Sequence, residues 1–365
     1  MSKFLLYLMA LGAVLGGIDH ILGNRFGLGR RFEEAFHLLG PMGLSMAGIL
    51  CLAPLLSGVL GKIVVPVYSA LGLDPGMLGS VLAIDMGGYQ MAMELAADPQ
   101  IGRYCGIVVS AIFGCTVVFT IPMGMAAVEE NSRPFFVKGI LLGLGSMPVG
   151  LVTGGIACGL PLRTLLWQCL PIFVLSALLI WGLWKNAQRM VRIFRAFARG
   201  IRILSVVGLT LGAVQYMTEL TFLPEMIPLT QAMEVVCSIA IVMLGSMPLA
   251  ELLQRMLKVP LGWIGKHTGL NSTSTTGLLI GLVSVMPALA MVSRMDRRGK
   301  VVCGAAMVCG ASAFAAHLGF ALSTQPDMAP AMLWAKLLGA AAGVVLALAV
   351  TQKQIREDAA CTESV

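Results

Sequence analysis

Charge is what this 365-residue chain has least of. Asp, Glu, Lys and Arg together make up 12% of it against 58% hydrophobic residues, at a mean hydropathy of +0.88; a soluble domain carries roughly twice that share of charge. The shortage excludes a water-soluble body and leaves a chain consumed by spans of roughly 20 apolar residues each. Paired cysteines are missing too. The nine cysteines form no CxxC and lie mostly in apolar runs among Gly and Ala, so they read as small packing residues, with no disulfide or metal centre. There is no HExxH and no GxSxG. A nucleotide-binding GxxxxGK[ST] is also lacking: Lys62 follows Gly61 but precedes Ile63, so ATP does not drive this chain directly and no cofactor is expected. The first apolar segment, "FLLYLMALGAVLGGIDHIL", has no small-residue cleavage site after a short apolar core, so it reads as a retained span.

What is present is a series of apolar runs. Spans are expected at 4–22, 36–60, 102–126, 135–158, 163–184, 203–222, 230–254, 301–323 and 331–351. Two segments, 63–95 and 258–292, carry Pro, Gly and polar residues in their middles and are too interrupted for one plain helix. They also correspond to each other. "APLLSGVLGKIVVP" (53–66) and "MPLAELLQRMLKVP" (247–260) match at both prolines, "GLD" at 72 matches "GLN" at 269, and "GRYCG" at 102 matches "GKVVCG" at 299. Repeats of this kind are the usual ancestry of secondary transporters.

Charge bias orients the spans. If both interrupted segments cross the bilayer, the 25 Lys and Arg residues spread almost evenly over the two sides. If both enter and leave on one side, only Lys3, Lys62, Arg103, Arg163 and Lys336 fall outside and all the others inside. That choice makes nine spans plus two re-entrant hairpins, with the halves in inverted topology: an all-α polytopic membrane protein. The expected divisions are 1–184, a first transmembrane repeat with an extra span; 185–202, a linker; 203–351, the second repeat; and 352–365, a polar tail. The linker "KNAQRMVRIFRAFARGIR" reads as a basic cytoplasmic helix on anionic lipid. Basic inner loops account for the net charge of +7, so nucleic acid is not expected as a partner. The lipid bilayer is one, and a homo-oligomer is compatible with the sequence.

"RFEEAF" (31–36) leading into "LSMAGILCLAPLL", "DMGGY" (85–89), "RMDRRGKV" (294–301) and "HLGF" (317–320) resemble the ethanolamine-utilisation permeases, the EutH family, from about residue 10 to 350. The resemblance implies a protein of the bacterial inner membrane that passes ethanolamine inward as a source of carbon and nitrogen. Two places depart from the family pattern, which has Asn just before Pro287 and Asp just before His317; here stand Ser284, Val285 and Ala316. These departures favour, as the alternative, a cation-coupled transporter of another small polar metabolite.

A small protonated amine needs a carboxylate or an aromatic face plus a few hydrogen-bonding groups. Asp85, in "GSVLAIDMGGYQMAMEL", is the leading candidate, because a carboxylate in a span costs at least ~2.5–3.5 kcal/mol and faces a cavity or a partner. The alternative for it is an internal ion pair or a helix cap beside the break at Gly87 and Gly88. Tyr89, one turn on, presents a ring and a hydroxyl, or merely packs. Glu234 lies inside a span, whereas Glu219 reads as a solvated vestibule residue. His317 sits among small residues as ligand or structural histidine. Ser284, Asn271 in the polar run "NSTSTTG" expected at the second hairpin tip, and the break at Pro287 complete the expected substrate site. Glu33, Glu34 and His37 could in principle form an intramembrane hydrolase site, but beside Arg30 and Arg31 they read as an ion-paired helix start.

Overall fold

The computed structural model describes residues 2–82, 88–221 and 223–363, and all regular structure among them is helical. Helices are the economical answer for an apolar chain, since they satisfy their own backbone polar groups. Helices α1 (Ser2–Ile21) and α2 (Leu28–His37) pair side by side. The turn between them is organised by Asp19, 3% exposed, whose carboxylate accepts the N–H groups of Phe26 at 2.8 Å, Leu28 at 2.7 Å and Gly29 at 2.8 Å. A short turn and a π-helical stretch, Gly43–Ala47, then lead into α3 (Gly48–Ala70).

A helical hairpin follows, α4 (Gly76–Leu82) and α5 (Gly88–Leu95), which pack closely on each other. Gly79 lies so close to the backbone of Ala92 that a Cβ there would clash. Next come α6 (Pro99–Ala127), π-helical over Cys105–Gly114 and Thr116–Thr120, and α7 (Arg133–Ala157). The short α8 (Leu162–Gln168) precedes α9 (Leu170–Thr218), which Asn186, at φ −157° and ψ 82°, divides into two helices. The Asn186 side chain accepts the Arg189 N–H at 2.8 Å and so caps the second of them. The long α10 (Leu229–Thr268) leads to a second hairpin, α11 (Ser272–Val283) and α12 (Val285–Met291). The chain ends with α13 (Arg297–Gly310), α14 (Ala316–Thr324) and α15 (Ala329–Glu363).

Helices α7, α13 and α15 form the central post, with α6 against it. Glycines let these backbones approach: Gly139 of α7 lies on the Val301 carbonyl and Gly304 of α13, while Gly150 and Gly154 lie on Ala335 of α15. Small residues are the usual means of close helix packing where lipid removes the hydrophobic drive. Helices α1, α2 and α10 make a second group on the flank, and α3 packs against α9.

Three expectations need correction. The interrupted segments begin later than expected, because residues 63–70 continue α3 and 258–268 continue α10; Pro66 and Pro260 sit inside these helices instead of starting the hairpins. The polar run 271–277 lies at the base of the second hairpin, and its tip is at Ser284. The span expected at 301–323 is broken, since residues 311–315 leave the helix with Ser312 at φ 52° and Ala315 at φ −113°, ψ −94°. Hydropathy does not register that break, as every residue in it is apolar or small. Among the described residues seven helical runs are long and apolar enough to cross a membrane, beside the nine spans expected. Two of the nine are joined in α9, and a third is split between α13 and α14.

Candidate functional site

Among the described residues, the interior of the bundle contains two places where helix stops and starts again, at Ser284 and at 311–315. At Ser284, φ −147° and ψ 126°, α11 ends and α12 begins. Between α13 and α14 the chain is unwound over residues 311–315. These interruptions are bonded to each other: the Ser312 N–H donates to the Gly281 carbonyl and the Phe314 N–H to the Leu282 carbonyl, both at 3.0 Å. Each break supplies the partners that the other would otherwise lack. A void of about 10 Å³ lies beside them, lined by Gly277, Gly281, Cys303, Met307 and Gly310 among others; it admits about one water-sized sphere.

His317, 2% exposed, opens α14. Its Nδ1 lies 3.3 Å from the Ser312 carbonyl, which also accepts its backbone N–H at 3.3 Å. The imidazole therefore ties down the unwound segment and is not the mid-helix residue that its surroundings in sequence suggest. Ser284 is half-buried at the tip itself, its own N–H donating to the Ile280 carbonyl at 2.7 Å. Pro287, two residues into α12, is exposed and lines a cleft of about 700 Å³.

That cleft is charged. Arg30, Arg31, Glu33, Glu34, His37, Glu251 and Arg255 line it with Gly27 and Pro287. Arg31 bridges Glu34 at 2.7 Å and Glu251 at 3.1 Å, and Glu251 in turn accepts from Arg255 at 3.0 Å. Glu33 and His37 stand 3.4 Å apart with the His37 side chain 76% exposed. The carboxylates are thus engaged by arginine or open to solvent, and the arrangement offers a lined vestibule with no desolvated acid–base pair.

Tyr89, half-buried on α5, lies in another cluster. Its hydroxyl accepts from Gln325 Nε2 at 2.7 Å, its ring meets Phe320 edge-on at 6.3 Å, and Arg103 and Asp327 pair at 3.7 Å nearby. Residues Tyr89 and Gln325 join the first hairpin to the end of α14.

The remaining expected residues are dispersed. Asp85 and Gly87 lie outside the described residues, and Gly88 is the buried first residue of α5. Glu234 is exposed in the second turn of α10, and Glu219 is exposed where α9 ends, at φ 57°. Asn271 is a helix cap: its side-chain oxygen accepts from the Ser274 N–H at 2.8 Å and the Ser274 hydroxyl at 2.7 Å. Among the described residues no group of three His, Cys, Asp or Glu side chains could hold a metal ion.

Sequence reasoning missed Lys336. Charge bias counts it on the outer side, near the start of the expected span 331–351, yet it is 0% exposed within α15, with Nζ 2.6 Å from the Ala111 carbonyl. Ala111 belongs to the π-helical part of α6, a geometry frequent at functional sites. The signal available in sequence was its place in the apolar run Pro326–Gln352: an ionisable residue inside a span is a functional candidate by default.

Comparison with known proteins bears on the whole chain. The family model described as "Ethanolamine utilisation protein, EutH" matches residues 1–350. A protein of Listeria monocytogenes named "Probable ethanolamine permease EutH" is 35% identical over 98% of this chain and 96% of its own length. The Bacillus subtilis protein YxeR, described as uncharacterised, is 37% identical over 95% of this chain and 94% of its own. The Escherichia coli protein named "Probable ethanolamine permease EutH" is 31% identical over 100% of this chain and 98% of its own. No solved structure matches.

Proposed function

The chain belongs to the ethanolamine utilisation protein EutH family, and from that premise we propose that it is a multi-pass permease carrying ethanolamine, as the protonated amine, across the bacterial inner membrane. The observation that carries the reading is the pair of cross-bonded helix interruptions at Ser284 and residues 311–315. Non-helical backbone inside an apolar bundle is expected where a polar solute must be received. The hydrolase alternative has no such support, since Glu34 is held by Arg31 and His37 is mostly exposed.

The inverted repeat belongs to the same proposal. The base of each hairpin carries a left-handed glycine, Gly72 at φ 66° and Gly269 at φ 70°. Asp74 and Asn271 each stand two residues further on, and Asp98 and Asp296 cap the helices that follow. In this reading the base of the first hairpin faces outward with Arg103 and Asp327, and the charged cleft faces the cytoplasm. Nine passes then arise from α1, α2 with α3, α6, α7, the two parts of α9, α10, α13 with α14, and α15.

Asp85 is assigned to the ammonium on chemical grounds, because a carboxylate within an apolar span is stable as an anion only beside a cation or strong donors. Uptake of labelled ethanolamine into proteoliposomes, at a pH where the neutral amine contributes little, tests the function. Asp85→Asn is expected to insert normally and to lose at least about tenfold in affinity, or about 1.4 kcal/mol. Wild-type vesicles that accumulate no ethanolamine would overturn the proposal, and parental affinity in Asp85→Asn would overturn the assignment.

A further inference from the structure

Asp327 is an exposed carboxylate in the turn before α15, and it meets the partly exposed Arg103 of α6 at 3.7 Å. An ion pair so open and so long fastens little. Its surroundings are more particular, because Tyr89 of α5 is within electrostatic reach of both charges, and so is Cys158, which follows α7. The Cys158 carbonyl accepts from Gln100, near the start of α6, at 2.9 Å. The pair therefore stands at the end of the bundle where α6 begins, α7 finishes and the chain turns into α15. The functional reading above, on which this inference rests, puts that end outside the membrane.

Tyr89 lies one step inward from the pair. It packs so closely on Gly106, a turn further into α6 than Arg103, that a Cβ on that glycine would clash with its ring. Its hydroxyl accepts from Gln325 Nε2 at 2.7 Å, and its ring meets Phe320 edge-on at 6.3 Å. Phe320 belongs to α14 and Gln325 directly follows it, while the other end of that nine-residue helix adjoins the unwound segment 311–315. Nine residues of α-helix measure about 14 Å. A solute received at Asp327 and Tyr89 is thus one short helix away from the interruption assigned above to it.

We propose that Asp327, Tyr89 and Gln325 form an outer receiving site for the protonated amine, in which the solute ammonium takes the place of Arg103 at Asp327. A primary ammonium carrying a hydroxyl matches the groups that converge there. The Asp327 carboxylate accepts its N–H bonds, the Tyr89 ring attracts its charge, and the Tyr89 hydroxyl donates to the solute oxygen while it accepts from Gln325. Arg103 stands in when the solute is absent. Exchanging one cation for another keeps the carboxylate paired throughout, so the site is not left as a bare anion. Selectivity follows from the same groups: a neutral diol brings no charge to Asp327, and a quaternary ammonium brings charge without an N–H to donate.

The test is uptake of labelled ethanolamine into right-side-out vesicles from cells with no other route for it, at a pH where the neutral amine contributes little and at equal surface expression. Asp327→Asn is expected to raise KM about tenfold, as for loss of a hydrogen bond to a charged group, and Asp327→Glu to raise it less. Arg103→Gln is expected to lower KM about threefold, because the competing cation is gone. Arg163→Gln, which removes an equal and exposed charge from the same outer side, should leave KM unchanged. A pair that only fastens the turn would instead cost both variants transport capacity at unchanged KM. That result would overturn the inference and leave the permease reading standing. An equal fall in KM in Arg163→Gln would do the same, since it reports surface charge in general. Wild-type vesicles that take up no ethanolamine would remove the permease reading and this inference together. Either single variant decides if the other fails to insert, because an unchanged or opposite KM in one of them is enough to overturn the site.

Discussion

The two hairpins are built alike and anchored differently. At the base of the first, the single carboxylate of Asp74, 5% exposed, accepts from Gly76 at 2.7 Å, from Asp98 at 2.8 Å and from Ala97 at 3.3 Å. One side chain thus ties the start of α4 to the chain leaving α5. At the base of the second, the task is divided. Asn271 caps α11, and Asp296 joins the two sides by accepting from Ser274 Oγ at 2.6 Å, Asn271 N–H at 3.1 Å and Gly299 N–H at 3.0 Å. Arg298 adds bonds to the Thr268 and Leu348 carbonyls. The surroundings differ in the same sense. The first hairpin is joined through Tyr89 to Gln325, while the second places Pro287 on an open cleft. Of these two similar hairpins, one is closely fastened and the other has its fastening shared out beside open space.

Labelling offers the widest contrast. Cysteine at Gln100, near the base of the first hairpin, is expected to react with an impermeant maleimide only from outside, and cysteine at Lys300, near the base of the second, only from inside. Reaction of both from one face would break the inverted pairing. Thermal denaturation in detergent addresses the fastenings. Asp74→Ala leaves three N–H groups without their charged acceptor, and at ~1.5–3 kcal/mol for a hydrogen bond to a charged group the loss should be at least ~3 kcal/mol. Asn271→Ala removes one cap and should cost ~1 kcal/mol. Equal losses would erase the difference between the two bases.

The smallest effect concerns acidity. Burial pushes the Asp296 carboxyl up, but bonds from Ser274 and from the N–H groups of Asn271 and Gly299 outweigh it and hold the group below its usual range. A carboxylate depressed in the folded state contributes stability that is present above its unfolded value, about 3.9, and is lost as pH falls through the folded one. Protection of the Ser274 and Gly299 amides, taken as the ratio of intrinsic to observed exchange rate at each pH, should therefore fall below about pH 4 and hold level from pH 5 to 8. Asp296→Asn should abolish this acid response.

Much of the fold was legible because apolar runs and turn residues are local signals. The proline pairs, the glycines at 72 and 269 and the acidic caps at 98 and 296 all mark corresponding places. The hairpin starts were misjudged because Pro66 and Pro260 read as breakers, whereas the helices run through them. The break at 311–315 is written in Ala, Ser and Phe, residues that suit a helix, so it comes from tertiary pairing with Gly281 and Leu282. The expected site residues divide by where the structure puts them. His317 and Ser284 do mark the interruptions, whereas Asn271 proved a cap, Glu234 lies apart and exposed, and Lys336 was hidden by a rule that counts lysines by side.

The burial of Lys336 also bears on how the protein is made. Helix α15 is synthesised after the helices that receive it, and a lysine within a span costs up to about 2.5–3.5 kcal/mol on insertion. By the time the ribosome reaches it, Ala111 and the glycine-lined face of α7 have already been translated and can wait in the bilayer as a half-finished socket. The last helix enters as a keystone, bringing the charge only when its seat exists, and a nascent chain halted before residue 329 would expose that seat to lipid and to the cell's quality-control proteases.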